Sequence, residues 1–157
     1  MFPSHDIGGS TGIFADKISK ILGCKAVVVD PNKDEIAEAA KKGLTCCCKQ
    51  FKDYKSGTQY DLISMLRTVE HLSQISIALQ KVKEMLSKKG VFFLDIVNHL
   101  WLMKMFKSSQ LSTKIDHIYQ LTDETISRYL LRFFPEMEIV KSDIEFRYIF
   151  YLVKPKC

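Results

Sequence analysis

The chain has 157 residues and a formal net charge of +5, with 46% hydrophobic and 26% charged residues. That size and balance suit one globular domain with a buried core and exclude a low-complexity or disordered chain. No apolar run reaches the length of a membrane span, and "MFPSHDIGG" lacks the charged-then-apolar pattern of a secretory signal.

A cytoplasmic protein is therefore expected. The lysines are scattered along the chain, as on solvated helix faces, and no basic block is interleaved with aromatics, so no nucleic-acid partner is expected. The cysteines are Cys24, Cys46, Cys47, Cys48 and Cys157. Neighbouring side chains of a strand point to opposite faces, so Cys46, Cys47 and Cys48 cannot converge on one metal. They read as small buried hydrophobes in a reducing compartment, and no metal site is expected.

Along the chain, "DIGGSTG" occupies residues 6–12, with only "MFPSH" ahead of it as a first strand poor in apolar residues. Ile13, Phe14, Ile18, Ile21 and Leu22 then recur at helical spacing, and Gly23 stops that helix. "KAVVVDP" reads as a buried strand ending at Asp30. Asn32 and Glu35 form a capping-box pattern that opens a short helix ending at Gly43. "LTCCC" and "YDLISML" supply the third and fourth strands.

Ser73 is expected to cap a helix whose inner face is Ile75, Leu79, Val82 and Leu86, ended by "KKG"; "VFFLDIV" follows as a fully buried strand. Residues 98–109 form an apolar, helical segment in which Trp101, Met103, Met105 and Phe106 are candidates to line a pocket. Thr122 caps a last helix with Ile126, Tyr129, Leu130 and Phe133 inward. "EIVKSDIEFRYIFYLVKP" then reads as two antiparallel strands. Strands alternating with helices predict an α/β, three-layer sandwich in a single domain over 1–157, with a mostly parallel seven-stranded sheet and an antiparallel C-terminal hairpin. In such a sheet, ligands sit beyond the carboxyl ends of the strands, here loops 6–12, 30–32, 49–53 and 66–71.

The glycine loop narrows the ligand. Gly8, Gly9 and Gly12 permit close backbone approach, and the helix behind them directs N–H groups and partial positive charge at whatever binds. Asp30 ends the second strand, where a carboxylate accepts both hydroxyls of a ribose. A nicotinamide cofactor would ask for GxGxxG, but the glycine positions of that pattern fall on Gly8, Ser10 and Ile13. The acid Asp6 would repel a pyrophosphate and attract an ammonium group. The residues thus favour a nucleoside that carries an amino acid over a dinucleotide.

At this point the chain resembles the class I, Rossmann-like S-adenosylmethionine-dependent methyltransferases. "DIGGSTG" is similar to their first motif, D/E-x-G-x-G-x-G, with Ser10 in place of the middle glycine. "VVVDP", "YDLISMLRTVEHL", "LSKKGVFFLDI" and "DHIYQLTDETISRYL" resemble later segments of the family in the same order. The resemblance implies that S-adenosylmethionine is the cofactor. Asp6 would face its methionine amine, directly or through water, and the backbone of Gly8, Gly9, Ser10 and Gly12 would pass along it. Asp30 would grip the ribose, with Asn32 beside it, and Gln50 and Phe51 would flank the adenine. Leu66 and Arg67 would approach the methionine portion.

His117, His71 and His99 are the candidate bases for an oxygen or nitrogen acceptor. The expected partner is a small-molecule methyl acceptor, with a hydroxyl slightly favoured, and the expected state is a monomer or homodimer. The family usually has an apolar first strand and one or two helices before it, so the resemblance implies an N-terminally truncated domain with an atypical first strand. A binding protein that keeps the fold without turnover is the alternative function, and a nicotinamide-dependent oxidoreductase a more distant one.

Overall fold

The computed structural model describes residues 2–107, 117–142 and 147–156. The first strand, β1 (Pro3–Ile7), leads through the glycine loop to α1 (Ile13–Leu22), β2 (Lys25–Asp30) and α2 (Lys33–Lys41). Then follow β3 (Thr45–Cys48), β4 (Tyr60–Met65), α3 (Ile75–Met85) and β5 (Leu86–Val97). The chain closes with α4 (His99–Phe106), α5 (Asp123–Phe133), β6 (Met137–Ser142) and β7 (Tyr148–Pro155). One sheet of seven strands has the order β3-β2-β1-β4-β5-β7-β6. The first five strands are parallel, and β7 runs antiparallel to both β5 and β6.

Helices α1 and α2 cover one face, where Ala15 and Ile36 pack on Ala26 and Val28. Helices α3 and α5 cover the other, burying Leu79, Val82, Ile126 and Leu130 against Ile63, Leu94 and Tyr151. Each of these large aliphatic side chains stabilises the fold by roughly 1.5–3 kcal/mol on burial. The order of strands reverses between β1 and β4, so the loops after β1, β2 and β4 open on one crevice.

Strand β1 takes a central place despite its polar sequence. It lies in the middle of the sheet, with Pro3–Ile7 paired to β2 and Ser4–Ile7 to β4. Its polar residues are buried because each meets a specific neighbour rather than because it is apolar. Ser4 Oγ is 3.4 Å from Cys24 Sγ, and Asp6 accepts from Ser64 Oγ at 2.6 Å. The His5 ring lies between Tyr54 and Tyr60, with centroids 4.9 and 4.8 Å away. Pro3 stands at the first strand position, where a missing N–H is tolerated.

Further differences concern α3, β5 and the cysteines. Gln74 rather than Ser73 occupies the N-cap of α3, without a side-chain bond. The helix ends at Met85, and Leu86 already belongs to β5, which includes "SKKG". The apolar spacing extends to Leu86, but its backbone turns extended (φ −78°, ψ 131°) to pair with Tyr60. Gly90 permits this close approach, since a Cβ there would lie 2.8 Å from the Tyr60 carbonyl oxygen. Asn32 and Thr122 cap α2 and α5 as their sequence positions predict. Cys24 is buried, but Cys46 and Cys47 are half-buried and Cys48 is exposed, because β3 is an edge strand. Cys157 lies outside the described residues.

Candidate active site

A cavity of about 620 Å³ opens above the crevice, bounded by Gly8, Ser10, Asp30, Phe51, Arg67 and His71 among others. That volume is ordinary for a small-molecule site. The glycine loop forms its floor. Gly8 has φ 67°, and any Cβ on it would overlap the Thr68 side chain, so the loops after β1 and β4 touch only because this residue is glycine. Ser10, where the family has glycine, takes φ 50°. Its amide donates to Asp30 Oδ2 at 3.1 Å, and the Asn32 amide donates to Asp30 Oδ1 at 2.9 Å. These two bonds hold the carboxylate at the end of β2 facing the cavity, where its remaining lone pairs suit donors such as vicinal hydroxyls.

Not every residue expected on the wall lies there. Gly9, Gly12, Asn32, Leu66, His99 and His117 are not part of the lining, whereas Gln50 and Phe51 are. The Asn32 side-chain oxygen is taken by the Asp34 and Glu35 amides. The Leu66 carbonyl accepts from Thr68 Oγ1 at 2.9 Å. Asp6 lies behind the loop, not on the cavity wall: it is 3% exposed, and one of its oxygens has no hydrogen-bond partner among the described residues. That oxygen lies 2.6 Å from where a Gly9 Cβ would be, so Gly9 makes room for it. Burial pushes the Asp6 carboxyl up to about 6, with the Asp30 charge adding to the effect.

The far end of the cavity, beside β3, contains a residue that sequence patterning missed. Lys81 on α3 donates from Nζ to the Phe51 carbonyl at 2.7 Å and to the Lys52 carbonyl at 3.1 Å. The same Nζ is 4.9 Å from the centroid of the Phe51 ring. Burial lowers the Lys81 pKa. Lysine on a helix reads as solvent-facing, and only the sheet order brings it to the loop after β3. Below, the nitrogens of His5 have no hydrogen-bond partner among the described residues, and burial holds its pKa down at about 4.

The other end, over β4 and β5, is held by two buried acids, Asp95 and Glu70. Arg67 has φ 48°, and its amide donates to Asp95 Oδ1. Burial raises the Asp95 carboxyl to about 6. Glu70 is 1% exposed, and its Oε1 accepts from the Val97 amide at 2.7 Å. The Glu70 carbonyl accepts from the Ile118 and Tyr119 amides at 2.9 and 3.2 Å. Tyr119 Oη donates to the Ser73 carbonyl at 3.0 Å. These bonds bring His117 against His71, ring centroids 4.8 Å apart and nearly perpendicular at 87°. His99 is buried at the start of α4, where its amide donates to the Leu121 carbonyl at 3.4 Å. Trp101 is half-buried and Met103, Met105 and Phe106 are exposed. None of these four lines the cavity.

Among the described residues there is no cluster of three or more metal-ligating side chains, and no helix is long and apolar enough to cross a membrane. A glycine loop at a helix N-terminus, an acid ending β2 and a switch-point cavity define a nucleoside-binding α/β domain. A family model described as a methyltransferase domain matches residues 6–134, so the chain belongs to the class I S-adenosylmethionine-dependent methyltransferases. S-adenosylmethionine is that family's cofactor.

A ubiquinone biosynthesis O-methyltransferase of Bradyrhizobium diazoefficiens is 24% identical over 102 residues, 61% of this chain and 40% of that protein. The chain spans about two fifths of the length of the curated relatives it matches. The plantazolicin methyltransferase BpumL, solved with SAH (S-adenosylhomocysteine) and a desmethylated plantazolicin analogue, superposes with a TM-score of 0.80 at 16% identity, over 99% of this chain and 77% of that one. An S-adenosylmethionine-dependent methyltransferase from Clostridium acetobutylicum superposes with a TM-score of 0.78 at 17% identity, over 100% of this chain and 85% of that one.

Proposed function

We propose that this chain binds S-adenosylmethionine in the cavity and directs methyl transfer to an oxygen of a small-molecule acceptor. The observation that carries the reading is Asp30, set at the end of β2 by the Ser10 and Asn32 amides and facing the cavity. A carboxylate so oriented accepts the two hydroxyls of a ribose. Gly8 and Ser10 then run beneath the sugar and methionine, and Asp6 supports the loop from behind. Gln50 and Phe51 flank the adenine, with Lys81 pinning Phe51. The curated relatives' names support an oxygen acceptor.

When bound, the cofactor supplies a methyl group on a sulfonium, so the chain's own residues need only position the acceptor and take its proton. His71 is the proposed proton acceptor because it lines the cavity, and the His117 ring, set nearly perpendicular to it, orients it. The carbonyl and carboxylate of Glu70 hold that pair in place without entering the cavity.

Calorimetry with SAH tests the cofactor assignment. Binding is expected, and Asp30→Ala should weaken it about 100-fold, the loss of a charge-assisted pair of hydrogen bonds. Absence of SAH binding, or an unchanged affinity in Asp30→Ala, would overturn the assignment. His71→Ala should retain SAH affinity and lose methyl transfer across a panel of hydroxyl acceptors. Retained transfer would remove His71 from the mechanism.

A further inference from the structure

The position of Arg67 bears on what the acceptor is. In the sheet, β4 stands between two regions: β2, with Asp30, is two strands away on one side, and β7 is two strands away on the other. The Arg67 side chain, which also lines the cavity, reaches toward β7. Its guanidinium carbon is 5.6 Å from the ring centroid of Tyr148, the residue of β7 paired with Val97. The cation is therefore on the side of the cavity away from the ribose carboxylate.

A second cation meets the same ring. The Arg147 guanidinium carbon is 5.3 Å from the Tyr148 centroid. Among the described residues, neither guanidinium has a hydrogen-bond or ion-pair partner. Asp95 feels the Arg67 charge but is buried beneath it, and neither nearby acid forms an ion pair with either guanidinium. Asp95 is 3% exposed and spends Oδ1 on the Arg67 amide, while Glu70 is 1% exposed and spends Oε1 on the Val97 amide. Both guanidinium groups are held near one ring, and an anion bound at Arg67, which lines the cavity, is favoured by its charge and by that of Arg147 nearby. Guanidinium groups also offer the forked N–H donors that match carboxylate and phosphate oxygens.

We propose that the acceptor half of this site recognises an anionic group, so that the methyl acceptor carries a carboxylate or phosphate held by Arg67 with Arg147 at the Tyr148 ring. The proposal rests on the methyltransferase reading above and deepens it. Arg67 is then a specificity-determining residue: it selects a negatively charged acceptor and leaves the cofactor's ribose to Asp30.

The test uses the full chain saturated with SAH and three probes that share a ring: phenol, 4-hydroxybenzoate and phenyl phosphate. Affinities are measured by calorimetry or by displacement of ligand signals in NMR. At least one anionic probe is expected to bind about tenfold tighter than phenol, with the preference shrinking as salt is raised. Comparing 4-hydroxybenzoate with phenyl phosphate tells which anion is preferred. With SAH kept saturating for each variant, Arg67→Met should abolish the preference, and Arg67→Lys should keep part of it.

Phenol binding as tightly as both anions, or a preference that survives both Arg67→Met and Arg147→Met, overturns the proposal. So does binding of none of the three probes by protein that binds SAH. Failure to bind SAH itself counts against the methyltransferase reading instead, so the two failures are told apart in one series. If Arg67→Met unfolds, Arg147→Met and the salt dependence of the unmodified chain carry the same test.

Discussion

The two halves of the crevice are built in different ways. On the cofactor side, bonds among β1, β2 and their loops, between segments about twenty residues apart, place Ser10 and Asp30, while Gly8 also seats against Thr68 of the loop after β4. On the acceptor side, Glu70 connects the loop after β4 to Val97 of β5 and to Ile118 and Tyr119, some 27 to 49 positions along the chain. The first half depends on turn geometry, helix capping and one acid. The second depends on a buried carboxylate at the meeting point of three segments. A local motif can therefore announce a cofactor, whereas an acceptor pocket emerges only when distant segments assemble.

Removing the connector at Glu70 should break this comparison most visibly. Glu70→Ala leaves the Val97 amide without its acceptor and should cost about 2 kcal/mol in urea unfolding. Amide exchange should speed up at Val97, whose side-chain acceptor is removed, while SAH affinity falls less than about threefold. A large loss of SAH affinity with unchanged exchange would mean that the halves are not separate.

The floor of the cofactor half can be probed through pH. The folded pKa of His5 is about 4 against an ordinary 6.5, so between those values the unfolded chain binds more protons and stability falls as pH drops. Asp6 and Asp95 act in the opposite sense. Each is raised from 3.8 to about 6, so between those values the folded chain binds more protons and stability rises on acidification. The three oppose one another in the wild type. His5→Phe keeps a ring between Tyr54 and Tyr60 and cannot take a proton. Its stability relative to wild type should therefore increase by about 2 kcal/mol between pH 7 and pH 5 in thermal or urea unfolding. A constant difference over that range would show that His5 does not titrate on unfolding.

The smallest effect sharpens the adenine end. Lys81→Met removes both bonds to the Phe51–Lys52 backbone and the contact over the Phe51 ring. SAH should bind about fivefold more weakly, close to 1 kcal/mol, with little change in fold stability. Unchanged binding would make Lys81 a surface residue in function as well as in pattern.

The order of elements, the buried strands, the caps at Asn32 and Thr122 and the edge of the sheet on which the cavity opens were all legible in the sequence. They follow from hydrophobic period, glycine position and local hydrogen bonding, which act over a few residues. The acid at Asp30 was legible for the same reason. Pattern gave no reason for polar residues to be buried in β1. Ser4 and His5 find their places only once Cys24, Tyr54 and Tyr60 are set around them. Pattern was silent on Lys81 and Asp95, whose partners are fixed by strand order. It put Arg67 beside the methionine portion without the Tyr148 ring, which comes from an antiparallel strand more than eighty residues away in sequence. Periodicity and motif decided which class of nucleoside this chain is built around. Long-range packing alone decided which charges gather over β4 and β5, because a side chain's electrostatic surroundings depend on neighbours in space and not on neighbours in the chain.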